Sequence, residues 1–129
     1  MPKLTNHQRV EQVGRWLAEK FPTPYPVEIR VCSKVAAARN ASPAEKKVGD
    51  DGETYRVDRR IIVRVSSGAR RYGSTMTGTL LHEWAHARTW RHEILEHKRA
   101  PHDDEWGLAY VQIYRAFYDE DGWKESRGF

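Results

Sequence analysis

His82, Glu83 and His86 stand in the order His-Glu-x-x-His within Thr79-Leu80-Leu81-His82-Glu83-Trp84-Ala85-His86-Ala87. On an α-helix, positions four apart share one face a turn apart, so both imidazoles can hold a single metal ion. Glu83, one position on, projects beside that pair, where it can reach a water on the metal without replacing it as a ligand. A zinc-dependent hydrolase places its general base in this way. The plainer reading is a coincidence of spacing on a solvated helix face, in a chain that carries six histidines.

The surrounding residues favour a helix. No proline occurs from Ser74 to Arg91, and Ser74 and Thr75 offer capping side chains at its start. Leu80, Leu81, Trp84 and Ala85 form an apolar flank from which His82 and His86 turn away, which predicts one side for the core and one for chemistry. Gly78 costs about 1 kcal/mol relative to alanine inside a helix and blurs where this one begins.

A catalytic zinc site takes three protein ligands and keeps a position for water, so a third ligand is needed. His92, ten residues beyond His82, makes an approximate H-E-x-x-H-x-x-G-x-x-H pattern, with Thr89 in the place of its glycine. A β-branched threonine suits that sharp turn poorly, and both methionines, Met1 and Met76, precede the motif where the pattern needs one after it. His102 is the stronger candidate. It follows Pro101 and opens a second helical segment in which Trp106, Tyr110, Ile113 and Phe117 form an apolar stripe that packs against the first helix. Asp103, Asp104 and Glu105 fall in the first turn, where acidic groups suit the helix dipole. Glu105 or another carboxylate is the remaining alternative as a ligand.

The metal-helix sequence, together with His102-Asp103-Asp104-Glu105-Trp106, resembles the SprT-like zinc metallopeptidases, whose relatives include the Spartan proteases. In that family a T-L-L-H-E-x-x-H-A helix is followed by a third histidine in a segment of the form H-G-x-x-F or H-G-x-x-W; here Asp103 replaces the glycine. The resemblance covers about thirty residues. It implies a small zincin-like α+β domain over residues 1–129, with helices packed on a short mixed sheet. It further implies Zn²⁺ on His82, His86 and His102, Glu83 as catalytic acid/base, and a protein or peptide substrate, including proteins associated with or crosslinked to DNA.

The remaining sequence suits one small α+β domain of 129 residues. Thr5 to Phe21 reads as an amphipathic helix with Val10, Val13, Trp16 or Leu17, and Phe21 inward, ended by Pro22, Pro24 and Pro26. Val27 to Val31 alternates as a strand, Ser33 to Gly52 reads as a loop with a short helix, and Glu53 to Ser66 holds one or two strands. Arg60 to Val65 is the clearer of these. The resemblance places it beside the cleft, where a strand edge can pair with an extended substrate; otherwise it is an ordinary internal strand.

No stretch approaches the roughly 20 apolar residues of a membrane span, and the start lacks the apolar core of a signal peptide, so a soluble, cytoplasmic protein is expected. Cys32 is the one cysteine, which excludes an internal disulfide and a cysteine zinc ribbon. The net charge of +4 permits contact with a polyanion. Arg56, Arg59, Arg60, Arg64, Arg70 and Arg71 concentrate that charge, Arg60 and Arg64 on one strand face, as candidates for DNA phosphates or as a solubilising surface. Tyr72, Tyr110, Tyr114 and Arg71 are candidates for stabilising an oxyanion, while Trp84 and Trp106 read as wall and core. Two other functions fit fewer of these features: a nucleic-acid-binding domain with a structural histidine-rich metal site, and a catalytically silent zincin-like interaction domain.

Overall fold

The computed structural model describes residues 5–32, 52–66, 76–91, 93–94 and 100–120. In chain order these form α1 (Asn6–Lys20), β1 (Val27–Cys32), β2 (Gly52–Val57), β3 (Arg60–Ser66), α2 (Met76–Arg88) and α3 (Asp104–Arg115), the last continuing into a π-helical turn, Ala116–Glu120. Three helices pack on a three-stranded mixed sheet. The expected α+β class is therefore present.

Thr5 starts α1 through a reciprocal capping pair: its hydroxyl accepts from the Gln8 amide at 3.1 Å, and the Gln8 side chain accepts from the Thr5 amide at 2.8 Å. Val10, Val13, Leu17 and Phe21 recur at helical spacing and are buried, and Pro22 follows at once. Gly14 permits this packing, because a Cβ there would come within 2.8 Å of Ile29 Cδ1.

The sheet order is β1-β3-β2, with β1 parallel and β2 antiparallel to β3. The region 52–66 thus holds two strands, joined at Asp58-Arg59, where Asp58 takes a left-handed φ of 54° that aspartate tolerates. Ile61, Val63 and Val65 alternate onto the helix-covered face and are fully buried. Cross-strand neighbours share a face, so Val27, Ile29 and Val31 of β1 join them there, as do Gly52 and Thr54 of β2. Arg60 and Arg64 do share a face, and it is the opposite one.

The central position of β3 corrects the expectation that Arg60 to Val65 offers an edge to substrate. Both its sides are paired. Its apolar run Ile61-Ile62-Val63 reflects burial on both faces of the sheet, and the outer strand beside α2 is β2.

α2 is also more enclosed than its flank suggested. Every residue from Met76 to Ala87 is buried, because the helix touches α1, α3, β2 and β3. It has no solvated side; the histidine face is roofed by α3. The helix ends at Arg88, inside the proline-free stretch from Ser74 to Arg91. Thr89 turns its hydroxyl back to the Ala85 carbonyl at 2.8 Å, and the Trp90 amide bonds Ala87 O in a tighter turn. Ser74 and Thr75, the expected caps, lie outside the described residues, as does most of the expected loop 33–52. No helix among the described residues is long and apolar enough to cross a membrane.

Candidate metal centre

His82 and His86 project from the buried centre of α2, only 4% and 5% exposed. Two side-chain anchors hold α2 in place: the Trp84 indole donates to Phe21 O at 2.9 Å, and the Trp106 indole donates to His82 O at 3.3 Å. Trp84 is therefore core, as its apolar setting suggested.

His102 arrives from the other direction, on the exposed segment ahead of α3. Asp103 caps that helix. Its backbone is extended, and its carboxylate accepts from the Trp106 amide at 3.0 Å. The residue in the glycine's place is thus a helix cap with an ordinary negative φ. That hydrogen bond, chiefly, holds the Asp103 carboxyl below its usual range, with Arg91 adding to it. Arg91 Nη1 lies 3.1 Å from Asp103 and 3.4 Å from Glu105.

Across this junction the three rings converge. His86 Nε2 is 3.2 Å from His102 Nε2, which is 3.3 Å from His82 Nε2. A neutral imidazole carries one ring hydrogen, so His102 Nε2 cannot donate to both neighbours. A cation at their centre would use all three lone pairs. Nitrogens bound at about 2.0 to 2.1 Å around a tetrahedral ion lie about 3.3 to 3.4 Å apart, so the residues present fit such an ion closely. Among the described residues, these three histidines form the one cluster able to hold a metal. Their donor set also suits copper, iron or nickel.

Burial, and secondarily the charge of His102, lowers the His82 pKa to about 4. The ring is neutral at pH 7 and keeps its metal-binding lone pair. Trp106 completes the enclosure. Its indole stacks on His86 with centroids 5.2 Å apart and meets His82 and His102 edge-on. It is a wall of the site, as expected.

Glu83 is 6% exposed, with Oε2 3.9 Å from His82 Nε2. Its Oε1 accepts a hydrogen bond from the Thr54 hydroxyl at 2.7 Å. Gly52 lies two residues earlier on the same face of β2. A Cβ there would meet Thr79 Cγ2 at 2.6 Å, Glu83 Cγ at 3.0 Å and Arg64 O at 3.1 Å. The strand can approach the metal helix only because this residue has no side chain. Neither Thr54 nor Gly52 stood out in the sequence.

The other candidates separate. Glu105 is exposed, engaged with Arg91 and outside the histidine cluster. His92, Arg70, Arg71 and Tyr72 lie outside the described residues. Tyr110 reaches the site, with its ring 5.4 Å from that of His82, whereas Tyr114 makes tilted ring contacts with Tyr110 and Tyr118 and is 48% exposed. Arg56 lies over the Tyr25 ring and donates to Asp58 O, Arg60 pairs with Glu28, Arg64 pairs with Glu53, and Arg59 is exposed. Arg60 and Arg64 stand on the sheet face opposite Ile61, Val63 and Val65, and Arg56 pairs across from Ile61.

No family model, curated protein or solved structure matches this chain.

Proposed function

We propose that the chain is a zinc-dependent peptidase of the SprT-like kind, cutting peptide bonds in protein substrates. The observation that carries this reading is the triangle of His82, His86 and His102 Nε2 atoms with a buried Glu83 carboxylate oxygen 3.9 Å from one corner. A structural metal site has no need of an adjacent carboxylate and usually closes all four positions with protein ligands. This cluster has three members among the described residues, and the third is exposed.

His82, His86 and His102 would hold the zinc, which would supply Lewis acidity towards the scissile carbonyl and lower the pKa of the attacking water. Glu83 accepts that water's proton on the oxygen facing the cluster and delivers it to the departing amine nitrogen. Tyr110, whose ring abuts His82, is the best-placed described candidate for steadying the oxyanion. The substrate backbone extends along the outer edge of β2. That strand has a partner on one side only among the described residues and carries the Thr54 that touches Glu83. Main-chain pairing there binds peptide with little demand on its sequence. DNA contact through the described arginines Arg56, Arg59, Arg60 and Arg64 belongs to this proposal as a route to DNA-bound proteins.

The deciding experiment compares wild type with Glu83→Gln on an unfolded protein substrate, with and without DNA. The variant should keep one zinc per chain and its melting behaviour while hydrolysis falls at least about 10²-fold. Indistinguishable rates in every assay would falsify the peptidase reading and leave a silent metal-binding domain.

A further inference from the structure

We infer that Thr54 is a positioning residue that sets the orientation of the Glu83 carboxylate. This rests on the peptidase reading, because it names how that site's base is aimed. The His-Glu-x-x-His spacing fixes where the Glu83 Cα stands, and leaves its side-chain torsions open. Such a carboxylate can turn either oxygen, or neither, towards the histidine cluster. The constraint comes from β2. Thr54 is 7% exposed, lies on the helix-facing side of the sheet, and directs its hydroxyl to Glu83 Oε1 at 2.7 Å. With Oε1 held, Oε2 is the oxygen that faces His82 Nε2.

The same hydroxyl lies 3.1 Å from Glu83 O, so a purely structural role, tying strand to helix backbone, is the competing account. A threonine hydroxyl has one hydrogen. The carboxylate is the nearer acceptor and the charged one, and charge-assisted hydrogen bonds are shorter and about twice as strong as neutral ones. Gly52 works in the same direction. With no side chain at 52, β2 stands close enough for the next residue on that face to reach Glu83. The edge strand proposed to receive the substrate thus also aims the base, and a misdirected base loses rate while leaving substrate binding intact.

Thr54→Val keeps the shape and removes the donor; Thr54→Ser restores it. In zinc-loaded protein, Thr54→Val should lower kcat by about 10- to 100-fold with KM within about twofold, and Thr54→Ser should return kcat to within about threefold of wild type. A second readout needs no turnover. The ¹³C resonance of the Glu83 carboxylate, assigned through its loss in Glu83→Gln, should move in Thr54→Val and stay in place in Thr54→Ser. In the unmodified protein, replacing the exchangeable hydroxyl hydrogen with deuterium should shift that same resonance. An unmoved carboxylate signal in Thr54→Val, or in the deuterated wild type if Thr54→Val does not fold, overturns the inference. So does an unchanged kcat in Thr54→Val beside an active wild type. A wild type without hydrolysis would end the peptidase reading, and the resonance would still decide whether Thr54 holds the carboxylate.

Discussion

His82, Glu83 and His86 stand on a helix buried from Met76 to Ala87, whereas His102 stands on an exposed segment held by a helix cap and a surface arginine. On the α2 side, position is set by close packing, by a glycine that lets a strand approach, and by buried hydrogen bonds. On the α3 side it is set by Asp103, Arg91 and the contact of Trp106 with the ring. Packed interiors resist displacement and tolerate little change in volume, while solvent-facing ion pairs contribute little each. A metal held between two such regions draws its rigidity from one and its accessibility from the other.

Removing a ligand from either side tests this contrast most severely. His86→Ala and His102→Ala should each weaken zinc binding by more than about 100-fold, beyond what loss of a supporting partner alone produces. Only His86→Ala should also lower the melting temperature of metal-free protein, because it leaves a void in the buried helix face. His92→Ala should leave zinc affinity unchanged. Titration calorimetry with thermal melts reads all three; equal losses for His92→Ala and His102→Ala would instead make His92 a ligand.

A smaller effect separates the regions by pH. The folded pKa of His82 is lowered from 6.5 to about 4, so between those values the unfolded chain binds more protons than the folded one. The stability that this neutral ring represents is present above pH 6.5 and lost as pH falls towards 4. Its size is roughly 3 kcal/mol. Denaturant melts of metal-free protein at pH 7 and pH 4.5 should show the loss, and His82→Gln should remove most of the difference. A pH-independent midpoint would mean that the ring is solvated, and that the α2 side is less enclosed than its packing indicates.

The smallest effects belong to the supports of His102. Asp103→Ala should reduce zinc affinity by less than about tenfold, and Arg91→Ala by less again, because both side chains are partly exposed and water replaces part of what they supply. A larger loss from Arg91→Ala than from Asp103→Ala would overturn the assignment of the cap as the main support.

How far the sequence carried follows from the range of each interaction. The pair His82 and His86 was legible because four-residue spacing on a helix is a local property, and His102 because Pro101 and the acidic turn mark the start of α3. The core positions Val10, Val13 and Phe21 of α1 were legible for the same reason. Strand order was not: the β-branched run of Arg60 to Val65 marks a strand without saying which neighbours flank it, and β3 proved central. Gly52 closes a Gly-Asp-Asp-Gly stretch that reads as loop. Its close approach to Thr79 and Glu83 joins residues far apart in the chain, as does the Thr54 hydrogen bond. The end of α2 was not legible either: no proline or glycine marks it, and the Trp90 amide turns to Ala87 O in a tighter bond.

The indole of Trp106 lies against all three imidazoles, stacked on one and edge-on to two. That placement makes the site its own optical indicator. An open-shell ion such as Co²⁺ or Cu²⁺, if held by His82, His86 and His102, would darken this fluorophore, whereas closed-shell Zn²⁺ would not quench it in that way. Competition between the two kinds of ion would therefore read as a change in the Trp106 share of the emission of five tryptophans, assigned by its loss in Trp106→Phe, with no label added and no substrate required.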